Sequence, residues 1–189
     1  MIMSTVLVVA ATARELAFAP EWLTLECGVG PVEAAARTAR AIVELRPAAI
    51  VHVGIAGARR AADLAAPQLV IASESRYTDL AVPSTLAPRV CRAPAALVAA
   101  AQRALPRAVV LPIGTTARVG GSVDCVVEAM EGFAVLRAAE LAGIPAIEVR
   151  CISNEIEEVD RTKWQFDDAF ATMIAATPAL VREVAQCVR

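Results

Sequence analysis

The apolar residues of this chain fall in short, punctuated runs, and none approaches the roughly 18–20 consecutive apolar residues that a membrane-spanning helix needs. Yet 57% of the 189 residues are hydrophobic, alanine supplying much of that share, and the mean hydropathy is +0.56. Apolar material cut into such short pieces is the pattern of a parallel sheet buried on both faces. Strand-like runs at residues 5–10, 22–27, 49–53, 68–73, 108–112 and 146–152 alternate with helix-like runs at Pro31–Leu45, 94–104, 131–142 and 167–188. The last of these helices is expected to break near Pro178. This alternation specifies an α/β fold with a largely parallel sheet, and the length suits one domain, residues 1–189, with a sizeable core.

Composition narrows the function. A net charge of −2 gives no reason to expect nucleic acid or an anionic membrane as a partner. No basic leader precedes the first strand, so a cytoplasmic protein is expected. Five cysteines, with no Cys-x-x-Cys spacing, suit neither a disulfide framework nor a zinc site and are expected to be small buried thiols. The single histidine, His52, stands inside an apolar strand and reads as a core or strand-end residue. No metal or organic cofactor is expected.

Gly28-Val29-Gly30 precedes a helix that begins at Pro31, where a missing N–H costs nothing. The third glycine of a dinucleotide fingerprint is absent, and the turn follows the second strand rather than the first. A turn that brings backbone amides to a small anion or a sugar is one reading, and a purely structural turn is the other.

In a parallel sheet the site lies at the carboxyl ends of the strands. Polar residues there are few: Thr12, Arg14 and Glu15 after the first strand, Gly54-Ile55-Ala56-Gly57 after the third, Met130-Glu131 opening a helix, and Ser153-Asn154 closing a strand. Two carboxylates from different strands, an amide and glycine-lined turns suit a polyhydroxylated ring that carries a heteroaromatic base. One carboxylate can take a proton from water, the other can accept two sugar hydroxyls, and the amide can hold the departing base. The plainer alternatives are helix-turn glutamates at Glu15 and Glu131, a strand-end cap at Asn154, a core anchor at Trp164 and a solvated basic loop at Arg59-Arg60.

The pattern Glu128-Ala129-Met130-Glu131-Gly132, then Val149-Arg150-Cys151-Ile152-Ser153-Asn154, resembles the nucleoside phosphorylase and nucleosidase superfamily. Within it, the chain is most similar to 5'-methylthioadenosine nucleosidases and futalosine hydrolases. Further matching segments lie at residues 6–16, 26–38, 50–57 and 75–79. The resemblance implies a three-layer nucleoside phosphorylase-like fold, a mixed, mostly parallel sheet flanked by helices, and a homodimer or higher homo-oligomer. It implies that Glu15 activates the attacking water, that Glu131 grips the ribose 2'- and 3'-hydroxyls, and that Met130 packs on the sugar. Ile55, Ala56, Gly57 and Ser153 are expected to line the same site.

Asn154 stands where adenine-type nucleosidases carry an aspartic acid. An amide cannot supply a full proton, but it can donate to the carbonyl of a 6-oxopurine. This favours hypoxanthine as leaving group, hence futalosine hydrolysis to hypoxanthine and dehypoxanthine futalosine, a step of menaquinone synthesis. The alternatives are a methylthioadenosine or adenosylhomocysteine nucleosidase, a nucleoside phosphorylase and a catalytically silent nucleoside-binding protein. Futalosine carries a carboxylate on the 5' side, for which Arg76, Arg161 and Lys163 are candidates. The chain departs from the family in the short segment 117–126, which lacks the aromatic that usually stacks on the base.

Overall fold

The computed structural model describes residues 6–17, 22–122 and 124–188. Strand β1 (Val6–Ala10) is buried along its whole length. It pairs in parallel with β2 (Leu23–Glu26) on one side and β3 (Ala49–Ala58) on the other. Strand β8 (Ala146–Glu155) runs parallel to β3 and antiparallel to β4 (Leu69–Tyr77). Beyond β4 lie β5 (Val90–Arg92), antiparallel to it, and β6 (Val109–Thr115), parallel to it. Strand β7 (Val127–Ala129) runs parallel to β6 and returns antiparallel to β3. The path β3-β8-β4-β6-β7 therefore closes on itself, a barrel-like detail within the expected mixed, mostly parallel sheet.

The period-two alternation of a strand sorts the core into layers. Val6, Val8, Val51, Val53 and Val149 face helices α2 (Ala95–Ala104) and α4 (Phe166–Cys187). Leu7, Val9 and Ile50 face α1 (Pro31–Leu45) and α3 (Gly132–Leu141). A third cluster, including Ala56, Val70, Ile113, Val127 and Ile152, fills the closed ring. Each fully buried valine, leucine or isoleucine contributes on the order of 1.5–3 kcal/mol, so these three clusters dominate the favourable side of folding. The result is a single three-layer α/β domain.

Helix α1 begins at Pro31, behind Gly30 at φ +90°, and ends where Arg46 turns left-handed and donates its N–H to the Ile42 carbonyl at 3.0 Å. Helix α4 runs without interruption through Pro178. Burial of Met173, Leu180, Val181 and Val184 offsets the hydrogen bond that Pro178 cannot make. Strand β3 continues through residues 54–57, which were expected to turn, and β5 and β7 were not anticipated. Thr5, expected to open the first strand, lies outside the described residues. All five cysteines are free thiols; four are buried and Cys187 is exposed.

Candidate active site

The ends of β1, β3, β7 and β8, with the start of α4, enclose a cavity of about 210 Å3. Glu15, Ile55, Ala56, Gly57, Met130, Glu131, Ser153 and Asn154 all line it, so the structure brings these expected residues together. Arg76 is not among the lining residues. It lies on β4 and pairs with Glu74 at 2.6 Å, so it is not placed to meet a ligand here. Lys163 pairs with Glu158 at 3.2 Å, and Arg161 lies over the Trp164 ring at 5.3 Å.

Glu15 is positioned by the chain that leaves β1. Thr12 precedes a single 3-10 turn, Ala13–Leu16, and its N–H and hydroxyl each donate to Glu15 Oε2 at 2.9 Å. The Ile55 N–H donates to Oε1 at 3.3 Å, tying the same carboxylate to β3. The helix-turn role and a place in the cavity thus coexist in one side chain. Burial raises the Glu15 carboxyl above its ordinary 4.5; Arg150 and the Thr12 hydrogen bonds pull it down, and Glu131 pushes it up again. A carboxylate held in this way is a stronger base than a solvated one.

Glu131 stands at the residue before α3, and its side chain makes no hydrogen bond to the helix's own amides. One carboxylate oxygen accepts from the Gly30 N–H at 3.1 Å, and the other from Arg150 Nη2 at 3.3 Å. Gly30 thus supplies a backbone amide to the site, but to a carboxylate and not to an anion from outside. Arg150, although part of the quoted motif, had been given no role by sequence reasoning. It is 1% exposed, in the middle of β8, and lines the cavity between the two carboxylates. Burial works against its charge, but Glu148 and Glu131 outweigh that and hold its pKa above the ordinary arginine value. Glu148 and Arg150, two residues apart and so on one face of a largely apolar strand, were the available signal, because a buried guanidinium requires carboxylates around it.

Asn154 Oδ1 accepts from the Ser153 hydroxyl at 2.8 Å, and its Nδ2 donates to the Glu155 carbonyl at 3.0 Å. An amide has two N–H groups and two oxygen lone pairs, so it keeps one of each for a ligand. The aromatic surface comes from the far wall. Gln165 N–H donates to the Ser153 carbonyl at 2.8 Å, which ties residues 156–165 back to β8 and brings Trp164, Phe166 and Phe170 to the cavity. Trp164 and Phe166 pack with ring centroids 5.4 Å apart. The short segment before β7 instead contributes Val119, and Glu128 holds this loop by accepting from the Gly120 and Ser122 amides. Sequence reasoning named Thr12 and Glu128 without giving either a role, and it missed Phe166 and Phe170.

Comparison with known proteins places this geometry. Residues 21–186 match the family model described as the phosphorylase superfamily. The futalosine hydrolase of Streptomyces coelicolor is 32% identical over 183 residues, covering 84% of this chain and 78% of that protein. The chain belongs to the phosphorylase superfamily. It is an enzyme of the nucleosidase type, acting on N-glycosidic bonds. Solved structures share the fold at lower identity. The futalosine hydrolase of Helicobacter pylori matches at a TM-score of 0.84 and 14% identity, over 96% of this chain and 99% of that one. The methylthioadenosine/adenosylhomocysteine nucleosidase of Colwellia psychrerythraea, in complex with adenine, matches at 0.80 and 19%, over 98% and 96%.

For a phosphorylase superfamily member, the placement of the basic loop after β3 matters. Arg59 pairs with Glu157 at 3.4 Å and donates to the Ser122 carbonyl, while Arg60 pairs with Glu155 at 2.7 Å. Neither lines the cavity. Among the described residues, no group of three or more His, Cys, Asp or Glu could hold a metal ion, and no helix is long and apolar enough to cross a membrane.

Proposed function

We propose that this enzyme hydrolyses the N-glycosidic bond of a purine nucleoside, with futalosine its leading substrate. The observation that carries the reading is the pairing of two buried carboxylates, Glu15 and Glu131, at one end of an apolar cavity whose other wall presents Asn154 and an aromatic cluster. Glu15 takes the proton of the attacking water at the anomeric carbon. Glu131 accepts from the 2'- and 3'-hydroxyls, and Met130 packs against the sugar. The bond breaks through an oxocarbenium-like ribosyl cation, which the two carboxylates stabilise. Asn154 donates a hydrogen bond to the 6-carbonyl or N7 of the departing base, which leaves with the electron pair of the broken bond and takes its proton from water to become hypoxanthine. Dehypoxanthine futalosine is the second product, which places the reaction in menaquinone synthesis.

Water is favoured over phosphate because Arg59 and Arg60 are engaged outside the cavity, and residues 54–57 offer no hydroxyl. The cavity's one guanidinium, Arg150, is already shared among carboxylates. An adenine-type nucleosidase is the second reading, and Asn154 in place of a carboxylic acid stands against it. A homodimer belongs to the same proposal: Val29 and Val119 are exposed apolar residues that also line the cavity. Light scattering of the purified protein tests it, and a monomer at micromolar concentration overturns it.

The deciding experiment is chromatography after incubation with futalosine, inosine and methylthioadenosine, with and without phosphate. Hypoxanthine released from futalosine without phosphate is the expected result. Adenine release alone favours the second reading, and a requirement for phosphate makes the enzyme a phosphorylase. No free base from any of the three, in folded protein, leaves a silent nucleoside-binding protein.

A further inference from the structure

Beneath the cavity floor lies a cluster of polar side chains that the reaction does not itself touch. His52, Ser75 and Glu148 are each 0% exposed. Their register explains the grouping. His52 on β3 is the cross-strand partner of Glu148 on β8, and two residues on, Gly54 is the partner of Arg150, so all four positions share one face of the sheet. Arg150 Nε donates to Glu148 Oε1 at 2.8 Å, and the Ser75 hydroxyl donates to the other oxygen of Glu148.

Arg150 Nη2 contacts His52 Nε2 as well as Glu131. A guanidinium only donates, so Nε2 must be the accepting nitrogen of a neutral ring. The proton then sits on Nδ1, which donates to the Val9 carbonyl at 3.0 Å. Burial and the charge of Arg150 hold His52 well below its ordinary 6.5, in keeping with a neutral ring.

Two glycines make room for the arrangement. A Cβ on Gly132 would overlap the Glu148 carboxylate. One on Gly54 would overlap Arg150 Nη1 and lie 2.7 Å from Glu15 Oε1. Arg150 Nη1 and Glu15 therefore occupy the same small space above Gly54. Two nitrogens of the guanidinium are fixed, Nε by Glu148 and Nη2 by His52 and Glu131, and the third, Nη1, lies beside Glu15.

We propose that Glu148, with Ser75 and His52, is the positioning element of this active site. It draws the charge of Arg150 away from the cavity and leaves Glu131 and Glu15 able to serve the sugar and the water. The distances support this division: Arg150 lies 2.8 Å from Glu148 but 3.3 Å from Glu131. Without the Glu148 charge the guanidinium closes on Glu131, competes with the ribose hydroxyls and weakens Glu15 as a base.

The inference rests on the nucleosidase reading for its kinetic test, and a binding test separates the two. Glu148→Gln keeps an oxygen for Arg150 Nε, presents an NH2 to Ser75, whose hydroxyl can accept from it, and removes the charge. The expected result is a kcat lowered by about 10- to 100-fold, with a smaller rise in KM, about threefold, as the ribose hydroxyls lose part of Glu131. The preference for inosine over 2',3'-dideoxyinosine, measured by calorimetry, should fall as well. A purely structural Glu148 predicts a lower melting temperature with kcat and the preference unchanged, and that result overturns the proposal. If Glu148→Gln does not fold, Ser75→Ala loosens Glu148 while leaving the ion pair. A drop of about threefold in the same preference supports the proposal, and an unchanged preference overturns it. If the wild type releases no base, the nucleosidase reading fails, while the inosine-to-dideoxyinosine preference still decides this one.

Discussion

On the cavity floor, Arg150 and Glu148 meet at 2.8 Å with side chains 1% and 0% exposed; at the rim, Arg60 and Glu155 meet at 2.7 Å with 65% and 49% exposed. The distances are alike and the consequences are not. At the rim, water screens both charges and competes for their hydrogen bonds, so the pair contributes little. On the floor each charge was stripped of water, and removing one partner leaves the other buried and uncompensated, a loss of about 3–5 kcal/mol. The floor is carried by strands, with partners fixed by sheet register. The rim is carried by the turn after β3, the last residue of β8 and the segments 116–122 and 156–165. Chemistry and base reading thus sit on the strands, and the walls around the rest of the substrate on the connecting segments.

The strongest way to break this division is Glu15→Gln. Turnover is expected to fall by a factor of about 100 or more in folded protein, and near-wild-type turnover would remove Glu15 from the mechanism. The same variant should be more heat-stable at pH 7. The folded-state pKa of Glu15 is raised above 4.5, chiefly by burial. Its favourable contribution is therefore full below the unfolded pKa and lost as pH rises through the folded one, so at pH 7 the ionised side chain burdens the fold. The gain in melting temperature should shrink towards pH 4, and a Glu15→Gln protein less stable than wild type at pH 7 would contradict the argument. In the wild type, the acid limb of kcat/KM should lie above pH 4.5.

Gly132→Ala strikes the floor from above, because its Cβ has no space beside Glu148. A destabilisation of about 1–3 kcal/mol by urea denaturation is expected, together with loss of turnover. Stability within 0.5 kcal/mol of wild type would mean that Glu148 can move aside. Near the end of β8, Asn154→Asp should shift the preference from hypoxanthine towards adenine nucleosides by about tenfold, the effect of one mismatched polar contact. An unchanged substrate ratio would remove Asn154 as the base reader. Smallest of all, Arg60→Ala should move the melting temperature by less than about 2 °C and turnover by less than twofold. A larger change would show that the rim is more tightly coupled to the floor than its exposure indicates.

Much of this was legible in the sequence where one local rule decided the outcome. Helix α1 was read from Pro31 to Leu45 because proline at the first turn and the apolar stripe agree. The lining residues were readable because polar side chains at strand ends are scarce. What could not be read depends on neighbours distant in sequence. Gly54 and Gly57 looked like a turn, yet β3 runs through both; Gly54 is bare because Arg150, 96 positions later, and Glu15 fill the space above it. Glu148 stands beside Arg150 in the sequence, but the role of Arg150 was hidden because only the three-dimensional fold brings Glu131 and His52 to it. Strands β5 and β7, three residues each, have no periodicity long enough to read and exist because β4, β6 and β3 offer them edges. The missing aromatic in 117–126 was real, but Phe166 and Phe170 approach the cavity from the opposite wall.

Strand β8 is bonded to β3 from Ala146 to Glu155 and, over Val149, Arg150 and Cys151, to β4 on its other edge. A strand clamped in this way cannot slip by two residues to accommodate a changed loop, since both neighbours would have to slip with it. Insertions and deletions in the connecting segments are therefore absorbed where they occur, and Arg150, Ser153 and Asn154 stay in place. The fold can lose or exchange a wall of its pocket and keep its reaction, which makes substrate range the property most free to drift in descendants of this chain.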